Sequence, residues 1–97
     1  MKHGSETLNA SATIKTWVEL YTDSLYSWAL HKTSKKETAE DLVQDTFMVA
    51  VQSFDKFEGR SNPKTWLFAI LNNKIMDHYR SNMNKAVLGD AAFMNAF

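Results

Sequence analysis

The chain has 97 residues, 44% of them hydrophobic and 23% charged, with 3 Gly, 1 Pro and no Cys. That profile supports one globular domain and excludes disulfide scaffolds, thiolate metal sites and Cys nucleophiles. Eleven basic and eleven acidic side chains cancel to a formal net charge of zero, which on its face argues against nucleic acid. The sparse Gly and Pro argue against a turn-rich all-β fold. Neither a membrane-spanning apolar run nor a signal-peptide stretch is present in the sequence, so a cytoplasmic, all-α domain is expected.

In chain order, residues 1–10 are polar and unpatterned, and a flexible N-terminus is expected there. From Ser11 or Thr13, the apolar positions Ile14, Trp17, Val18, Tyr21, Leu25 and Trp28 follow the i, i+3, i+4, i+7 spacing of an amphipathic helix, which should reach about His31. Ser34-Lys35-Lys36-Glu37 has the form of a capping box and predicts the start of a second helix, running to about Phe54. Asp55 to Asn62 reads as a loop. Asn62-Pro63 places an N-cap amide before a proline suited to the first helical position, so a third helix is predicted to about Arg80 or Ser81. The tail from Asn82 is mixed: Val87, Leu88, Phe93, Met94 and Phe97 allow a further helical turn or two, against which Gly89 counts. The expected architecture is a compact three-helix bundle, with the tail able to add a fourth.

The zero net charge hides a partition. Residues 1–36 carry five basic and three acidic groups, residues 37–58 one basic and six acidic, and residues 59–85 five basic and one acidic. Adjacent segments of opposite sign point to two partners or to one partner with two faces; the plainer alternative is that they attract each other. On a helical wheel, Ala39, Leu42, Val43, Thr46, Phe47, Ala50 and Phe54 form the core side of the second helix. Asp41, Gln44, Asp45, Met48 and Gln52 lie opposite. A solvated face is the simple reading of that stripe, but Met48 amid short acidic groups resembles a contact surface. In the third helix, Leu67, Phe68, Leu71, Ile75 and Tyr79 form the core stripe, while Trp66, Ala69, Asn73, Met76, Asp77 and Arg80 face away. Asn73 and Arg80 are base- or phosphate-reading groups. Trp66 could stack on an unpaired base or simply pack at the rim of the core. The loop sets Phe57, Arg60, Ser61, Asn62 and Lys64 beside this face, a basic, amide and aromatic mixture suited to single-stranded DNA.

Catalysis finds little support. His3, His31 and His78 are far apart in the chain and have no metal-ligand spacing, and no Gly-rich loop follows a strand. Asp41 and Asp45 share an open helix face rather than a desolvated cleft. Neither enzyme activity, a metal nor a cofactor is expected.

Two stretches then carry a resemblance. Thr38 to Phe47 (TAEDLVQDTF) resembles the second conserved region of bacterial RNA polymerase sigma factors. Phe57 to Arg80 (FEGRSNPKTWLFAILNNKIMDHYR) resembles the promoter-melting and minus-ten-reading part of the extracytoplasmic-function (ECF) subgroup. Both motifs occur in order and at the right spacing, and the likeness covers about residues 12–82. It implies a region 2 domain over residues 11–82 and the start of an interdomain linker over 83–97. The C-terminal helix-turn-helix domain of a complete factor has no counterpart here, so the chain is expected to be a fragment of a longer protein.

The resemblance also assigns the faces. Asp41, Gln44, Asp45 and Met48 would dock on the clamp of the largest subunit of core RNA polymerase. Gly59 to Asn62, flanked by Phe57 and Lys64, would capture a base flipped from the non-template strand of the minus-ten promoter element. Asn73 would read an upstream base, with Arg60, Ser61, Asn62, Lys64, Trp66 and Arg80 completing the DNA-binding set. An anti-sigma factor is a further expected partner. Two positions depart from the pattern: Ala69 stands where a basic residue is frequent, and Trp66-Leu67 replaces the paired aromatics of housekeeping factors. The rival readings are a helical protein-interaction adaptor and a duplex-binding helix-turn-helix regulator.

Overall fold

A computed structural model describes the backbone of residues 2–57, 59 and 62–95, and the side chains of residues 11–57, 59 and 62–83. Its elements are α1 (Lys2–Thr33), α2 (Lys36–Gln52), the short α3 (Phe54–Phe57) and α4 (Pro63–Asn95), with no strand among the described residues. The all-α expectation holds, and three long helices form the bundle.

The core is built from one stripe of each long helix. Ile14, Trp17, Leu25 and Ala29 come from α1, Ala39, Leu42, Val43 and Ala50 from α2, and Leu67, Leu71 and Ile75 from α4. Leu25, Leu67 and Leu71 are fully buried, each worth about 1.5–3 kcal/mol of transfer free energy. Thr46 is the buried polar member. Its hydroxyl donates to the Leu42 carbonyl at 2.8 Å, so it enters the core with its hydrogen-bonding satisfied.

Several boundaries differ from expectation. The α1 backbone is helical from Lys2 rather than from Ser11 or Thr13, and α4 continues beyond Arg80 to Asn95, through Gly89. An isolated glycine costs a helix only about 1 kcal/mol, which favourable neighbours offset. Within the expected loop, Phe54–Phe57 closes one helical turn, because both phenylalanines reach back onto Trp17.

The Ser34–Glu37 capping box does not form. Lys35 is the N-cap of α2 and makes no side-chain cap bond. Ser34 instead terminates α1: it sits at φ 60°, and its N–H donates to the Leu30 carbonyl at 2.7 Å. That is the left-handed cap which satisfies an orphan carbonyl at a helix C-terminus. With so short a connection, one serine cannot adopt the left-handed conformation for α1 and the extended one an N-cap needs for α2. The other predicted cap is present. Asn62 Oδ1 accepts the Lys64 N–H at 2.9 Å, and the Asn62 carbonyl accepts the Trp66 N–H at 3.0 Å.

Two expected core residues lie outside the core. Val18 is 38% exposed and Tyr79 43% exposed. Tyr79 lies past the buried stretch of α4, whose last buried residue among those described is Ile75, and its described ring neighbour is the adjacent His78.

Candidate polymerase and nucleic-acid interfaces

On α2, Asp41, Gln44, Asp45 and Met48 are all exposed, and their i, i+3, i+4, i+7 spacing sets them in one stripe. The helix is anchored from behind by Ala39, Leu42, Val43, Thr46 and Ala50, so the stripe is rigidly presented. Met48 is 59% exposed, a large apolar side chain offered to solvent among acids. It is not alone. Val18 from α1 and Phe47 and Val51 from α2 join Gln44 and Met48 around a shallow apolar depression. Val51 is 54% exposed. Sequence reasoning missed Val18 and Val51 as surface residues. The signal was available for Val51, which the core stripe of α2 leaves out, but not for Val18, whose position fits the α1 stripe.

The second face is carried by α4 and the segment before it. Asn62, Lys64, Asn73 and Arg80 are exposed, while Arg60 and Ser61 lie outside the described residues. Asn73 and Arg80 sit on the side of α4 opposite Leu67, Leu71 and Ile75, so the core packing that holds the helix also aims them outward. Arg80 lies 3.9 Å from Asp77 within the same helix, an exposed pair of small energetic weight. Gly59 has φ +68°, the left-handed backbone that a glycine adopts without steric cost.

Trp66 has a packing role. It is half-buried, 5.1 Å from Phe57 and 6.0 Å from Trp17 between ring centroids, in tilted and edge-on arrangements typical of stabilising aromatic pairs. With Phe54 these rings tie the first turn of α4 to α1 and α3, and so fix both ends of the segment that carries Gly59 to Asn62.

Among the described residues, no ion pair joins the acidic segment to the basic one; the pair present is Asp77–Arg80, inside α4. No group of His, Asp or Glu side chains suited to a metal occurs among them, and none of their helices is long and apolar enough to cross a membrane.

The molecule is a small helical bundle that presents an acidic-apolar stripe on one helix and an amide-basic stripe on another. Residues 17–85 match the Sigma-70 region 2 family, which takes in both surfaces, and the chain belongs to that family. It is similar to the ECF RNA polymerase sigma factor SigX of Bacillus subtilis (30% identity over 79 residues, 79% of this chain and 41% of that protein). It is similar also to the ECF RNA polymerase sigma factor SigM of the same organism (32% over 88 residues, 87% and 53%). A probable RNA polymerase sigma factor of Haemophilus influenzae is 41% identical over 56 residues, 58% of this chain and 29% of that protein. The chain thus spans about half the length, or less, of these relatives. No solved structure matches it.

Proposed function

We propose that this chain is the region 2 part of an ECF sigma factor. In this reading it docks on the clamp of core RNA polymerase through α2, and recognises and melts the minus-ten promoter element through α4 and the segment before it. The observation that carries the reading is the separation of the two faces: Asp41, Gln44, Asp45 and Met48 are exposed on one helix, Asn73 and Arg80 on another, and the described residues form no ion pair between them. The carboxylates would steer a basic surface of the clamp and set its register, and the apolar depression around Met48 would supply the buried contact that charges alone do not. Asn62, Lys64, Asn73 and Arg80, with Arg60 and Ser61, would hold the unpaired non-template strand. Trp66 would support this surface from beneath. The domain performs no chemistry itself; the polymerase does. Sequestration by an anti-sigma factor would be its regulation, as the resemblance to the ECF subgroup implies.

The test is capture of the polymerase clamp fragment. Asp41→Ala with Gln44→Ala, and separately Val51→Glu, should each weaken binding at least about tenfold, the loss of roughly 1.4 kcal/mol. Thermal unfolding should stay close to that of the parent chain, because all three side chains are exposed. Binding indifferent to both changes would favour the adaptor reading with some other partner.

A further inference from the structure

Beside the α4 face lies a surface that no assigned residue except Lys64 shares. Trp28, near the end of α1, donates its indole N–H to Asn72 Oδ1 at 2.8 Å. An indole can only donate, so the atom of Asn72 that meets it must be the oxygen, and the amide NH2 is held facing away. Asn72 is thereby a fixed double donor rather than a freely rotating amide. It lines a shallow depression with Lys64, Thr65, Phe68 and Ala69. Phe68 is half-buried, 6.5 Å from Trp28 between ring centroids, and the Lys64 ammonium lies 6.0 Å from the Phe68 ring. Lys32 places its own ammonium 4.6 Å over Trp28, adding positive charge behind the pair.

The chemistry of this depression is one-sided. It offers a cation, an amide donor pair, a hydroxyl and an aromatic wall, and no carboxylate lines it. The neighbouring depression beside Trp28, lined by Asp23, Ser24, Ser27 and His31, carries an acid that would repel a phosphate. Donors and positive charge around an aromatic wall fit one nucleotide: phosphate oxygens on Lys64 and Asn72, sugar and base against Phe68. Because Asn62 Oδ1 caps the Lys64 N–H, the depression adjoins the Asn62 end of the surface already proposed for the unpaired strand.

We infer that the depression between Trp28 and the start of α4, lined by Lys64, Phe68 and Asn72, binds a further unpaired nucleotide of the same strand, with Trp28 as the positioning residue that aims Asn72. The inference rests on the single-strand reading of the α4 face, which it extends onto α1.

Nuclear magnetic resonance of the intact chain, titrated at low salt with short single-stranded DNA of randomised sequence, tests it without any substitution. The Trp28 indole N–H and the Asn72 side-chain amide resonances should shift along the titration. Asn72→Asp keeps the acceptor for Trp28 and removes the outward donors, and should weaken binding about tenfold or more, as expected for losing a hydrogen bond to a charged group. Ser27→Asp adds the same charge on the other side of Trp28 and should weaken it by less than about threefold, since an exposed charge at a distance is screened. The inference is overturned if the Trp28 and Asn72 resonances stay still, or if Asn72→Asp is no worse than Ser27→Asp. The proposed function survives that result if Asn73→Ala still weakens binding. Absence of any single-strand binding at low salt overturns both.

Discussion

The Oδ1 atom of Asn62 is already engaged before any ligand arrives, since it accepts the Lys64 N–H at 2.9 Å. What Asn62 can offer DNA is therefore its amide NH2, and removal of the side chain has two effects at once. Asn62→Ala should cost about 1 kcal/mol of stability through the lost cap. Asn62→Asp keeps a cap acceptor and places a negative charge at a helix N-terminus, so stability should stay within about 0.5 kcal/mol of the parent. If Asn62 donates to the captured base, both variants should weaken single-strand binding, and Asp more than Ala because it also repels phosphate. Chemical denaturation paired with a single-strand titration separates the contributions. Loss of binding in Asn62→Ala with full binding in Asn62→Asp would mean that only the cap matters. This cap was legible in the sequence because an amide followed by proline has few other uses. The environment of Trp66 was not, since stacking on a base and packing on Trp17 and Phe57 ask for the same residue at the same place.

At the level of the element, the junction between α1 and α2 turns on Ser34, the one non-glycine residue with positive φ among those described. A residue with a Cβ in the left-handed region costs roughly 1–2 kcal/mol, and glycine relieves that cost. Ser34→Gly should therefore stabilise the domain by about 0.5–1 kcal/mol, read as a raised midpoint in urea with an unchanged slope. The capping-box reading makes the opposite prediction, because it would lose a side-chain cap. Which way the midpoint moves decides between them. The error in reading Ser34 is instructive: Ser-x-x-Glu spacing is local and shared by both arrangements, while the choice between ending one helix and starting the next depends on how short the connection is. By contrast, the two faces of α2 were legible except at their border, where Phe47 is half-buried and Val51 exposed. A helix buried on one side against two neighbours obeys the 3.6-residue period, and the expected core residues Ala39, Leu42, Val43, Thr46 and Ala50 are buried, while Asp41, Gln44, Asp45, Met48 and Gln52 are exposed. On α4 the same rule holds through Ile75 and fails at Tyr79, because periodicity marks which side a residue lies on and not how far the neighbouring helices reach.

For the whole molecule, a net charge of zero makes the distribution of charge the quantity that matters. Five basic groups between Arg60 and Lys85 set an upper limit on phosphate contacts, but the exposed members among the described α4 residues are Lys64 in its first turn and Arg80 on the Asn73 side, with Arg60 in the preceding segment. Each phosphate neutralised on a single strand contributes about −0.7 to the slope of log K against log salt, so three contacts give a slope of roughly −2 and five would give about −3.5. A slope near −2 is expected, together with weak binding of the isolated chain at physiological salt and much stronger retention when polymerase holds the domain against the strand. Two substitutions then divide positioning from reading. Arg80→Gln should make the slope shallower by about 0.7 and weaken all sequences alike, because a phosphate contact carries no base information. Asn73→Ala should leave the slope unchanged and flatten the preference among bases at one position, since a neutral amide releases no counterion. A titration series over salt and over strands varied one base at a time measures both. If Asn73→Ala changes the slope, or Arg80→Gln changes the base preference, the division of labour along α4 is wrong. If duplex binds as well as the unpaired strand and neither variant matters, the α4 face is a solvated surface and the strand-capturing role falls with it.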